Sequence, residues 1–203
     1  MDRSDSATRR SESGGLKRGT TLSKNKLILA AAALGAVCAF SLPAMAGDGI
    51  VDEARLGVYD HNSNLTATRH ETSDPDINVE LLFKSPSWLQ WAWKPRINLG
   101  ANINTGNGTS IAYTGLVWDY NFTDAFFIEG GFGGAIHNGE TSKQTTTKLD
   151  LGCRVMFHEN ASLGYRVTAN SSLMLTIDHM SNAGLCSPNP GLTDVGIRYG
   201  YTF

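Results

Sequence analysis

The sequence predicts an all-β protein, an eight-stranded antiparallel outer-membrane β-barrel preceded by a signal peptide. Three observations predict it. From Gly47 onward, apolar residues recur at period two in segment after segment, with no convincing helical repeat. The opposite face of those segments carries charges of both signs and many glycines. The chain then ends in an alternating strand that closes on an aromatic, Phe203. A soluble sandwich would hide its apolar face between two sheets and show the polar one to water. An outer-membrane barrel turns the apolar face to lipid and packs polar groups inside. The polar set Glu53, Arg55, Glu80, Arg96, Glu129, Arg154 and Arg198 suits a narrow barrel filled by an ion-paired network.

Residues 1–46 precede the barrel. Residues 1–23 are polar, rich in Arg, Ser and Gly, and lack apolar periodicity, so they read as unstructured. Lys24 and Lys26 then lead into an apolar run, Leu27 to Leu42, followed by Ala44-Met45-Ala46. Basic region, apolar region and small-x-small site make a signal peptide, with cleavage expected after Ala46. The run falls short of the roughly 20 residues of a membrane-spanning helix. Residues 1–46 hold 7 of the 17 Lys and Arg and 3 of the 19 Asp and Glu, so residues 47–203 keep 10 basic and 16 acidic groups, a net charge of −6. That balance argues against nucleic acid as a partner.

The expected strands follow in order. They are about 51–61, 76–83, 96–104, 110–121 and 125–137, a sixth starting near Lys148 and continuing past a bend at Glu159-Asn160 to Val167, then 171–182 and 192–203. Most reach the roughly 9–11 residues that a tilted membrane strand needs. Trp118, Tyr120, Tyr199, Tyr201 and Phe203 gather near strand ends, as interface girdles do. An even strand count puts both termini on the periplasmic side. The connections 62–75, 105–109, 138–147 and 183–191 are then extracellular, and Trp88, Trp91 and Trp93 fall in a periplasmic connection as interface anchors.

Chemistry-bearing residues are few. Cys153 and Cys186 follow the signal peptide, and in an oxidising compartment they could pair; spacing alone leaves that open. No cysteine or histidine has a second ligand at a metal-type spacing, so no metal and no cofactor is expected. Gly130-Gly131-Phe132-Gly133-Gly134 lacks the Lys-Ser/Thr of a phosphate loop and lies inside a strand. What stands out is His179-Met180-Ser181-Asn182. At period two, His179 and Ser181 share a face with Leu173, Leu175 and Ile177. A base candidate and a nucleophile candidate thus sit together at a strand end on the apolar side. A polar pair there is tolerable, because a charge on the lipid face costs about 0–1 kcal/mol near an interface but about 2–4 at the midplane.

His179-x-Ser181-Asn182-Ala183, then Asn189-Pro190-Gly191, then a closing strand to Phe203, resembles the PagL family of lipid A deacylases. The likeness extends more loosely over the eight-strand layout. It implies an outer-membrane carboxylic ester hydrolase acting on lipid A or lipopolysaccharide in the membrane. His179 would be the base and Ser181 the nucleophile. Asn182, Asn189 and Gly191 lie where the oxyanion and substrate would be held. The family's third residue, a glutamate that orients the histidine, falls on Thr193. Asp194 is adjacent, and it would serve only if a bulge after Gly191 turned it outward. The runner-up reading is a non-catalytic barrel with a structural or adhesion role. An acyltransferase would differ only in the acceptor. The acyl position cleaved and the oligomeric state, a dimer included, are left open by the sequence.

Overall fold

A computed structural model of the protein describes residues 49–63, 71–72, 74–142, 145 and 148–203. The expected signal peptide and its cleavage site lie outside the described residues. So does His70.

Eight strands follow one another in sequence: β1 Val51–Asp60, β2 Asp76–Phe83, β3 Arg96–Asn104, β4 Ile111–Asn121, β5 Phe126–His137, β6 Val155–Arg166, β7 Ser171–Ser181 and β8 Leu192–Thr202. Each pairs antiparallel with its neighbour, and β8 pairs with β1 to close the barrel. Closure removes every free sheet edge, which a membrane strand requires because lipid offers no hydrogen bonds. A two-turn 3-10 helix, Ser87–Ala92, lies between β2 and β3. The other connections at that end are short. The opposite end carries four loops, here L1 (61–75), L2 (105–110), L3 (138–154) and L4 (182–191).

The alternation sorts side chains as a membrane barrel demands. Val79, Leu81, Leu99, Ile103, Ile128, Phe132, Leu175 and Ile197 point outward and stay exposed. Inside, Arg55 donates to Glu53, Glu80 and Glu129, and Arg198 donates to Glu80, Glu129, Ser162 and Thr176. Arg198 has no exposed surface. Arg96 adds a third guanidinium, donating to Glu53 at 2.6 Å, so three cations face the three carboxylates, the condition on which a buried ionic network is tolerated. Interior glycines make room for rings: a side chain at Gly164 would run into Phe127, and one at Gly196 into Tyr59. Exposed aromatics ring the short-turn end, with Trp88, Trp91, Trp93, Tyr120, Phe126, Tyr165 and Tyr201 among them. Trp118 belongs to the same girdle and donates from Nε1 to the Ala92 carbonyl at 2.8 Å.

The sixth strand corrects the sequence reading. It begins at Val155 rather than near Lys148, and it pairs without interruption through Glu159-Asn160, where a bend was expected. Gly152 at φ +75° turns the chain before it. Leu149 and Leu151 therefore do not face lipid. They drop into an apolar cluster with Ile111, Tyr113, Ala135, Met156, Met180 and Leu192 that stops the loop end of the barrel. Arg154 does not join the inner network either; it is exposed and donates to the carbonyls of His137 and Gly139.

Candidate active site

β7 and β8 position the pair singled out in the sequence. Their pairing is regular from Ser171↔Tyr201 to Met180↔Leu192, with no slip after Gly191. His179 stands across from Thr193, and Asp178 across from Asp194. The alternation therefore holds. His179, Ser181 and Thr193 share the outer face, while Asp178 and Asp194 turn into the barrel, each 2% exposed. His179 Nδ1 and Thr193 Oγ1 are hydrogen-bonded at 2.8 Å. Asp194 instead accepts from the Asn62 backbone N–H at 2.9 Å and from Asn102 Nδ2 at 3.3 Å. The bulge that would have aimed it at His179 does not form; such a slip would turn lipid-facing Ile197 into the lumen and buried Arg198 out to lipid.

With Thr193 Oγ1 accepting from Nδ1–H, the imidazole lone pair sits on Nε2, free to take a proton. Ser181 is half-buried two residues along the same face. Its hydroxyl makes no hydrogen bond among the described residues. Gly191 explains how L4 can return over this face. Its φ is +68°, and a Cβ there would lie 3.0 Å from His179 Cε1. Any larger residue would push against the ring and strain the backbone.

Asn182 has a different part from the one its position suggested. Both hydrogens of its side-chain amide are committed, to Leu151 O at 2.9 Å and Pro188 O at 3.1 Å. Its Oδ1 accepts from the backbone of Gly184 and Cys186. Asn182 is the internal frame of L4, not a free oxyanion donor. Asn189 uses its Oδ1 to accept from Asn182 N at 3.0 Å, which leaves its amide nitrogen available on an exposed side chain. The Cys153–Cys186 disulfide fastens L4 to L3, with the Cα atoms 5.7 Å apart.

Behind the pair, on the barrel's inner side, L1 supplies a second polar cluster. His61 Nδ1 meets Asp76 at 2.8 Å, and His61 Nε2 meets Glu71 at 2.9 Å. Burial alone would push the His61 ring down. The bonds to Asp76 and Glu71 outweigh it and raise the ring to about 10. Burial likewise pushes Glu71 up, but the His61 ring and the N–H groups of Leu149 and Thr109 hold its carboxyl below the usual range. His61, Asp76 and Asp194 are the described residues whose ligand atoms come close enough to hold a metal. With a carboxylate on each ring nitrogen, His61 ties L1 to the barrel.

The sequence reading passed over Glu159. It lies directly across β6 from His179, as Thr193 does across β8. The signal was present in the alternation: two residues beyond outward Phe157, position 159 must face out as well.

A family model described as lipid A 3-O-deacylase (PagL) matches residues 77–202. A curated relative, the lipid A deacylase PagL of Bordetella bronchiseptica, is 32% identical over 80 residues, 39% of this chain and 43% of that protein, so the chain spans less than half the length of that relative. Among solved structures, the outer membrane enzyme PagL superposes with a TM-score of 0.55 at 22% identity, covering 74% of this chain and 99% of that one. A de novo designed transmembrane β-barrel superposes at 0.48 with 13% identity, covering 77% and 98%.

Proposed function

The chain belongs to the lipid A 3-O-deacylase (PagL) family, and from that premise we propose that it is an outer-membrane esterase removing the 3-O-linked acyl chain of lipid A. The observation that carries the reading is the outward His179–Thr193 hydrogen bond with Ser181 on the same face. A water-soluble substrate would be served by a cleft opening to solvent. This pair instead opens on the apolar wall, where an ester of a membrane lipid would be presented from the side.

Serine is a weak nucleophile until a base takes its proton. His179 Nε2 accepts the Ser181 Oγ proton as Oγ attacks the ester carbonyl carbon. The oxyanion that forms receives hydrogen bonds from the Asn189 amide and from L4 backbone N–H groups. Collapse breaks the bond to the sugar oxygen, which leaves with the proton from His179. The acyl chain is then on Ser181. Water attacks it, passes a proton to His179, and releases the fatty acid as the proton returns to Oγ. Thr193 holds the imidazole in the required tautomer throughout.

Ser181→Ala and His179→Ala should each abolish release of fatty acid from lipid A by the purified barrel in detergent micelles. The double variant should be no worse than either, because the pair acts as a unit. Full activity in folded Ser181→Ala would rule the mechanism out. One observation favours a second reading, a non-catalytic barrel: the residue orienting the histidine is a neutral threonine and brings no charge.

A further inference from the structure

We propose that Glu159 is the charge-bearing positioning residue of this site, taking over from β6 the role that a carboxylate at Thr193 would have had on β8. The proposal rests on the esterase reading above.

Glu159 is the fifth residue of β6 and faces outward, between Phe157 and Ala161. Away from strand ends, it is the only acidic side chain at an outward-facing position of the described strands. Its neighbours on that face across the two ladders are Phe132 of β5 and His179 of β7. It makes no hydrogen bond or ion pair among the described residues, and its Oε2 is buried and unpartnered. A bare carboxylate among phenylalanines on a lipid-facing wall is unfavourable, and natural barrels place charges there with reason. The basic group beside it on that face is the His179 imidazole, whereas the ring of its chain neighbour His158 turns inward to Asp178.

The geometry fits a cation that forms only during the reaction. Opposed residues on one face of an antiparallel pair have Cβ atoms about 4.5–5.5 Å apart. A glutamate carboxylate can therefore reach the ring across that gap. In this structure the ring is hydrogen-bonded to Thr193 Oγ1, and Glu159 makes no bond to it. When His179 takes the Ser181 proton, the imidazolium is flanked by Thr193 on one side and a carboxylate on the other. The wall of lipid and aromatics screens that attraction far less than water would. The stabilisation is thus greater in the transition state than in the ground state, which raises kcat rather than tightening binding. The other charged groups near this part of the sheet, Asp178, Asp194 and His158, lie on its inner side and are engaged with one another or with asparagines.

The test is steady-state release of fatty acid from lipid A micelles by four proteins: wild type, Glu159→Gln, Thr193→Glu, and the double variant. Heat-dependent gel mobility confirms that each barrel is folded. Glu159→Gln should lower kcat by at least about tenfold while leaving KM within about threefold, the pattern of an interaction made mainly in the transition state. In the double variant, a carboxylate restored on β8 should recover most of that loss. Unchanged kcat in Glu159→Gln would overturn the proposal. So would an equal loss with and without Thr193→Glu, because a merely structural glutamate could not be rescued from the other strand. Absence of release by wild type would refute the esterase reading itself and Glu159's role with it, whereas activity insensitive to Glu159→Gln refutes only the latter.

Discussion

Replacing Thr193 with valine keeps the shape of the side chain and removes the hydroxyl that is hydrogen-bonded to His179. Thr193 Oγ1 lies 2.8 Å from Nδ1, on a residue only 2% exposed. An ordinary hydrogen bond contributes about 0.5–1.5 kcal/mol net, but a buried donor left unpaired costs about 1–3. Nδ1–H would be left facing a methyl group, so the second figure applies. At about 1.4 kcal/mol per factor of ten, kcat should fall by about 5- to 150-fold. That is well short of the roughly 10⁴-fold loss that follows when the orienting acid of a serine triad is disabled, because the bond lost is neutral. Thr193→Ser keeps the hydroxyl and should retain most activity. The assay is fatty acid release from lipid A micelles, with folding checked by heat-dependent mobility. A folded Thr193→Val with wild-type kcat would show that the hydroxyl does not orient the base.

Three further outcomes follow from the loop end and the lumen. Arg198→Met leaves Glu80 and Glu129 facing Arg55 with one guanidinium fewer; breaking a buried pair in this way should destabilise the barrel by about 3–5 kcal/mol, read as a lower urea midpoint for loss of the folded gel band. Removing the Cys153–Cys186 bond, which closes a 33-residue separation, should cost about 2–4 kcal/mol by the same measurement, and a reductant should reproduce it in wild type but not in the double serine variant. His61 is raised in the folded state to about 10 from an ordinary value of 6.5. Its stabilisation is therefore full below about pH 6.5, declines as pH rises, and is gone above about 10. His61→Gln should flatten that part of the stability–pH curve, and an unchanged curve would refute the tie.

The barrel was legible because lipid and lumen impose opposite demands on alternate residues. Ile77-Asn78-Val79-Glu80 and Val195-Gly196-Ile197-Arg198 state both demands in four residues each. The start of β6 was not legible for the same reason. Leu149 and Leu151 alternate like lipid-facing residues, and only the long-range cluster with Ile111 and Met180 shows that they plug the mouth instead. Period two cannot distinguish an apolar residue facing lipid from one facing a stopper. The site divides similarly. His179, Ser181 and Thr193 lie on two neighbouring strands with a fixed register, so alternation placed all three on one face. The framing part of Asn182 was not legible, because its two acceptors, Leu151 O and Pro188 O, are backbone groups of loops with no pattern to read. Glu159 was visible in the alternation of β6, but its neighbour on β7 is set by strand order and register, which a linear reading does not supply.

The central claim is that this barrel cleaves an acyl ester of lipid A with Ser181. Mass spectrometry of lipid A from cells expressing the wild-type chain or Ser181→Ala, against cells lacking it, tests that most directly. Wild type should yield lipid A lighter by one ester-linked acyl chain, while Ser181→Ala and the null strain should yield the same unshortened species. Unshortened lipid A in cells whose outer membrane holds the folded wild-type barrel would contradict it, as would shortening that persists in Ser181→Ala.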